Sequence, residues 1–102
     1  MLCVMARLDE RQISGALTHL RDWHHEGSAI RRQFTFPSFP DAISFVTRLA
    51  FDAEAADHHP DILISYKRVT LTYSTHSEGG LTQKDIDGAR LADETAARYL
   101  KA

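Results

Sequence analysis

The run AEAADHHPDI, residues 53–62, is where the pattern of the chain changes. Before it, Ala42, Phe45, Val46, Leu49, Ala50 and Ala53 recur at intervals of three and four, the apolar stripe of one helix. Ser38-Phe39-Pro40-Asp41 supplies the start of that helix: Ser38 caps, Asp41 is the acidic third residue, and Pro40 sits where a missing N–H costs little. Pro60 disfavours the helical conformation for His59, so the helix must finish around Asp57 or His58. After it the period drops to two. Ile62, Ile64 and Tyr66 alternate with Leu63 and Ser65, then Val69, Leu71 and Tyr73 with Thr70, Thr72 and Ser74. Two strands are expected, turning at Lys67-Arg68.

The rest of the chain extends this pattern in both directions. Asp9 followed by Gln12 marks a first helix, with Ile13, Ala16, Leu17 and Leu20 on one stripe, ending before Trp23. From Trp23 to Phe36 a hairpin is expected about Glu26-Gly27-Ser28, with Ile30, Phe34 and Phe36 facing away from Arg31, Gln33 and Thr35. Thr82 with Asp85 opens a last helix whose Ile86, Ala89, Ala92, Ala96 and Tyr99 share a face. The order α-β-β-α-β-β-α predicts an α+β fold, a four-stranded antiparallel sheet with three helices on one face. Residues 8–102 form the expected single domain, and residues 1–7 an N-terminal extension in which Met5 is a second candidate start.

Composition narrows the function. The chain has 102 residues, 43% hydrophobic and 25% charged, with a net charge of -2, the balance of one globular domain. There is no basic footprint for nucleic acid and no apolar run long enough to span a membrane. The single cysteine, Cys3, cannot form an internal disulfide, which fits a cytoplasmic location.

The chemistry gathers at the histidines. With Tyr66 and Val69 closing the turn, Ile64 would face Leu71 and Ile62 would face Tyr73. Extended, that register sets His59 opposite His76. Glu54 precedes His58 by four residues, one helical turn away, where a carboxylate can hydrogen-bond an imidazole and fix its tautomer. Glu54, His58, His59 and His76 form the expected site, with Asp57 and Asp61 at the rim. The group has acids and bases and no evident nucleophile, which suits it to moving protons.

The spaced pattern Glu54, His58-His59-Pro60, Tyr66, His76, Asp85 resembles the pterin-4a-carbinolamine dehydratase family. FTFPSF before the second helix, STHSEGGLTQKDI after the last strand and Trp23 ahead of the first hairpin are similar too, so the resemblance runs from about Leu8 to the end. It implies dehydration of 4a-hydroxytetrahydropterin to quinonoid dihydropterin in tetrahydropterin recycling, with His58, His59, His76 and Glu54 catalytic. It further implies a pterin pocket touched by Trp23, Asp57, Pro60, Asp61, Ser74 and Thr75, no metal or other cofactor, and a homodimer or homotetramer. The Ala89, Ala92 and Ala96 face of the last helix is the expected place for subunits to pack.

Blander readings stand beside these. Asp85 is explained as a helix-start residue, Trp23 as a core residue, Gly79-Gly80 as a turn, and one or both of His24 and His25 as simply exposed. Zinc is the chemical rival, though adjacent histidines rarely reach one ion together and no HExxH spacing exists. The functional alternative is a non-catalytic dimerisation or coactivator-type module, since some animal members of the family partner a homeodomain transcription factor.

Overall fold

The computed structural model describes residues 6–100. Residues 1–5 of the expected extension, Cys3 and Met5 among them, lie outside the described residues. The elements are α1 (Glu10–Leu17), β1 (His24–Glu26), β2 (Ala29–Thr35), α2 (Phe39–Ala56), β3 (Asp61–Ser65), β4 (Arg68–Tyr73), a 3-10 turn (His76–Glu78) and α3 (Gln83–Ala96). This is the expected α+β order. The caps are those the sequence offers: Asp9 and Gln12 exchange hydrogen bonds at α1, and Ser38 Oγ accepts from the Asp41 N–H at α2.

The four strands form one antiparallel sheet in the order β1-β2-β4-β3. Ile30 and Phe34 of β2 and Val69, Leu71 and Tyr73 of β4 turn to one face. There they meet Ile13 of α1, Ala42, Phe45 and Leu49 of α2, and Ile86, Ala89 and Ala92 of α3 in a single core. Arg31, Gln33 and Thr35 lie on the opposite, exposed face.

Two expectations are corrected. The second hairpin pairs Ile64 with Val69 and Ile62 with Leu71, two residues out of step with the anticipated register. The turn is Tyr66-Lys67, with Tyr66 at φ +55°, a conformation no glycine announces. Because a shift of two preserves alternation, every side chain keeps its face and the error is invisible to the hydrophobic pattern. The second correction concerns α3. Ala89, Ala92 and Ala96 are fully buried against this chain's own core, so that face is not available to another subunit.

Candidate active site

The site begins with the way α2 ends. Asp57 adopts the left-handed conformation, φ +51°. Its N–H bonds the Glu54 carbonyl at 3.1 Å, and the His58 N–H bonds the Ala53 carbonyl at 3.1 Å. This paired arrangement is a Schellman turn, which closes the last carbonyls of a helix while swinging the chain off its axis. His58 therefore leaves the helix before it can stand one turn above Glu54. The expected Glu54–His58 pair does not form. Glu54 Oε1 instead meets His59 Nε2 at 2.8 Å, in an exposed pair at the protein surface.

His58 turns inward. Its Nε2 lies 2.6 Å from Oδ1 of Asp85 in the first turn of α3. Asp85 is completely buried, and its second oxygen accepts from the Thr75 hydroxyl at 2.7 Å and the Thr82 N–H at 2.9 Å. The Thr75 and Thr82 hydroxyls are themselves 2.8 Å apart. A buried carboxylate requires such partners, because leaving it unpaired would cost several kcal/mol, of order 3–5. A carboxylate accepts, so the bonded Nε2 of His58 carries the proton and Nδ1 is left as the nitrogen able to take one. The ring of His58 also stacks on Tyr73, centroids 5.8 Å apart.

His76 follows β4 directly. The strand ends at Tyr73, Thr75 bridges to Gly80, and His76 opens the 3-10 turn beyond it. The ladder between β3 and β4 begins only at Asp61, opposite Thr72, so His59 and His76 are not a cross-strand pair. They nonetheless meet at one open cavity of about 280 Å³, lined by Asp57, His58, His59, Ser74, Thr75, His76, Ser77 and Lys84. Thus three histidines, Asp57, Ser74 and Thr75 of the expected site come together. Glu54 reaches it through His59.

Three expected residues stand elsewhere. Trp23 is buried in the core, its indole N–H donating to Asp93 at 2.9 Å and its ring packed near Phe34 and Tyr73. Pro60 is buried and Asp61 exposed, and neither lines the cavity. Two of the lining hydroxyls are already engaged: Ser74 donates to the Ser28 carbonyl at 2.8 Å, Thr75 to Asp85. Lys84 and the buried role of Asp85 were missed. For Asp85 the sequence carried a signal, its place at the end of the spaced pattern, but the helix cap accounted for it without chemistry. Among the described residues, no three His, Cys, Asp or Glu side chains are disposed to hold one metal ion, and no helix is long and apolar enough to cross a membrane.

Known proteins resemble this chain over most of its length. The family model described as Pterin 4 alpha carbinolamine dehydratase matches residues 6–95. A Roseiflexus sp. (strain RS-1) protein named "Putative pterin-4-alpha-carbinolamine dehydratase" is 52% identical over 86% of this chain and 95% of its own. One of the same name from Mycobacterium avium (strain 104) is 51% identical over 84% and 92%. Among solved structures, a transcriptional coactivator/pterin dehydratase from Brucella melitensis superposes with a TM-score of 0.86 at 40% identity, covering 88% of this chain and 98% of its own. A pterin dehydratase-like protein identified as a RuBisCO assembly factor in the alpha-carboxysome gives a TM-score of 0.61 at 21% identity, over 72% and 86%, a likeness of fold alone.

Proposed function

The chain belongs to the pterin-4a-carbinolamine dehydratase family, and on that premise we propose that it removes water from 4a-hydroxytetrahydropterin to give quinonoid dihydropterin. The tetrahydrobiopterin form is the substrate to test first. In the reaction the C4a–O bond breaks, the adjacent ring nitrogen loses its proton, and a C=N bond forms between them. One proton must reach the departing hydroxyl and one must leave the ring. Positioned acids and bases contribute about 10²- to 10⁴-fold to such steps.

The observation that carries the reading is the buried Asp85 holding His58 at the edge of a cavity that also presents His59 and His76. With Nε2–H given to Asp85, His58 takes the ring proton through Nδ1. His76 gives a proton to the departing hydroxyl, and His59, steadied by Glu54, binds or protonates the other face of the pterin. Imidazoles suit both directions because they exchange protons near neutral pH. The test is loss of authentic carbinolamine at enzyme concentrations far below substrate. Acceleration supports the reading; an unchanged spontaneous rate favours the non-catalytic alternative.

We also propose a homo-oligomer, on a different surface from the one the sequence suggested. β3 is an edge strand, and Ile62, Leu63 and Ile64 in it are all exposed, Leu63 by 65%. Beside it, exposed Phe39 and Tyr66 stack with centroids 6.4 Å apart. Soluble proteins ordinarily guard such an edge with charge, proline or a cover. A second copy pairing along β3 would satisfy its free backbone groups and bury these side chains.

A further inference from the structure

Tyr73 touches two residues whose contact with it the proposed chemistry leaves unexplained. Its ring lies against His58 with planes 20° from parallel. The edge of the same ring meets α3 at Gly88, where a methyl group would stand 2.6 Å from Cε1 and 2.8 Å from Cζ. Carbon atoms pack at about 3.5–4.0 Å, so any side chain at position 88 must push the ring aside. Trp23 packs nearby, its ring centroid 5.9 Å away, and Tyr73 is only 2% exposed. Tyr73, Gly88 and His58 also line one cavity of about 250 Å³, so a ring pushed off Gly88 would shift relative to His58.

We propose that Gly88 and Tyr73 interlock to set the position and tilt of the His58 ring, which makes both of them positioning residues. α3 then holds His58 twice: directly through Asp85 at Nε2, and one turn later through Gly88 and the Tyr73 ring. The two holds do different things. One hydrogen bond fixes a single atom of the imidazole and leaves the ring free to swing about it; a stacked face removes that freedom. Nothing in the helix itself requires a glycine at position 88. It stands inside a helix, where alanine is the better former, and it is not among the residues with positive φ. The stack needs the ring and not the hydroxyl. Burial first, then the Asp85 and Asp52 carboxylates, raise the phenol well above its ordinary range, so the ring stays neutral.

The inference rests on the dehydratase reading only for its kinetic arm. NMR of the imidazole signals of His58 tests it directly, because ring position sets those shifts whether or not the protein turns over. Gly88→Ala is expected to move the His58 signals and to lower kcat about tenfold, since a misplacement of about 1 Å costs up to about 10². KM should stay within about twofold, the mark of a group acting in the chemical step. In a Tyr73→Leu background, which lacks the ring atoms the methyl strikes, Gly88→Ala should alter neither. Wild-type His58 signals in folded Gly88→Ala, or the same effect in both backgrounds, overturn the proposal. Should Gly88→Ala not fold, Tyr73→Phe is expected to hold the His58 signals in place and Tyr73→Leu to move them; unmoved signals in the leucine variant overturn it equally. If no variant, wild type included, dehydrates the carbinolamine, the functional reading fails while the His58 signals still decide this one.

Discussion

Nε2 of His58 lies 2.6 Å from Oδ1 of Asp85, and Asp85 has no contact with solvent. The pair joins the end of α2 to the start of α3, so it is both a fold contact and the support of the site. Asp85→Ala would strand the Thr75 hydroxyl, the Thr82 N–H and the His58 imidazole without their acceptor. Removing one member of a buried pair costs about 3–5 kcal/mol, which urea unfolding would read as a lower midpoint. Asp85→Asn keeps shape and an accepting oxygen but not the charge, and kcat is expected to fall about 10- to 100-fold in folded protein. Normal stability in the first variant and normal turnover in the second would make the pair incidental.

The histidines separate by position. Replacing His58 or His76 with alanine should lower kcat by about ten- to a thousandfold. His24 and His25 lie on β1, and neither lines the histidine cavity, so alanine there should leave kcat near wild type. Glu54 now supports His59 rather than His58, and its side chain is 82% exposed. Glu54→Gln is therefore expected to cost less than about fivefold, the scale of a surface pair. Steady-state kinetics on the purified variants checks all five positions.

Much of this was legible in the sequence because it depended on period and capping. The helix from Phe39, both hairpins and the start of α3 follow from apolar spacing and from Ser38, Asp9 and Thr82. The local pairing of histidine with carboxylate was not legible. It depends on one residue, Asp57, ending the helix in a left-handed conformation that aspartate tolerates but that no glycine announces. That single dihedral carries His58 off the helix axis and exchanges its partner from Glu54 to Asp85. The register of the second hairpin was hidden for a related reason: Tyr66 occupies the positive-φ turn position where a glycine would have marked it. The burial of Ala89, Ala92 and Ala96 is a question of which partner fills a small-residue face, and periodicity does not distinguish the chain's own sheet from a second subunit.

Metal should not be needed. The proposed steps are proton transfers between imidazoles and the pterin, with no bond that calls for a Lewis acid. Dialysis against a strong chelator is expected to leave turnover intact. Activity lost on chelation and restored by zinc would replace the acid–base mechanism with a metal-assisted one.

The edge strand predicts the assembly. Light scattering should return a mass several times the 11.5 kDa of one chain. Leu63→Lys places a charge in the middle of β3, a common guard against edge pairing. The mass of that variant should fall toward that of one chain while the far-ultraviolet circular dichroism stays unchanged. A wild-type monomer at micromolar concentration would refute the assembly, and an unchanged mass for Leu63→Lys would move the interface elsewhere.

Asp93 gives a pH dependence whose sign can be worked out. Its Oδ1 accepts from the Trp23 indole at 2.9 Å and from the Arg32 guanidinium at 2.7 Å. Burial nevertheless raises its carboxyl above the ordinary 3.8, with those two donors pulling the other way. A raised value means that the folded chain holds this proton more tightly than the unfolded chain does. Its contribution to stability is therefore complete below about 3.8 and is lost as pH climbs through the folded value. Above the folded value the carboxylate is ionised at some cost to the fold. Asp93→Asn keeps an acceptor for Trp23 and Arg32 and does not titrate. Urea midpoints of the two proteins, taken from about pH 7 down to about pH 4, should show the wild type gaining on the asparagine variant as pH falls. If the wild type instead gained as pH rose, the Arg32 and Trp23 contacts would outweigh burial, and Asp93 would be an ion pair that stabilises the first hairpin against α3.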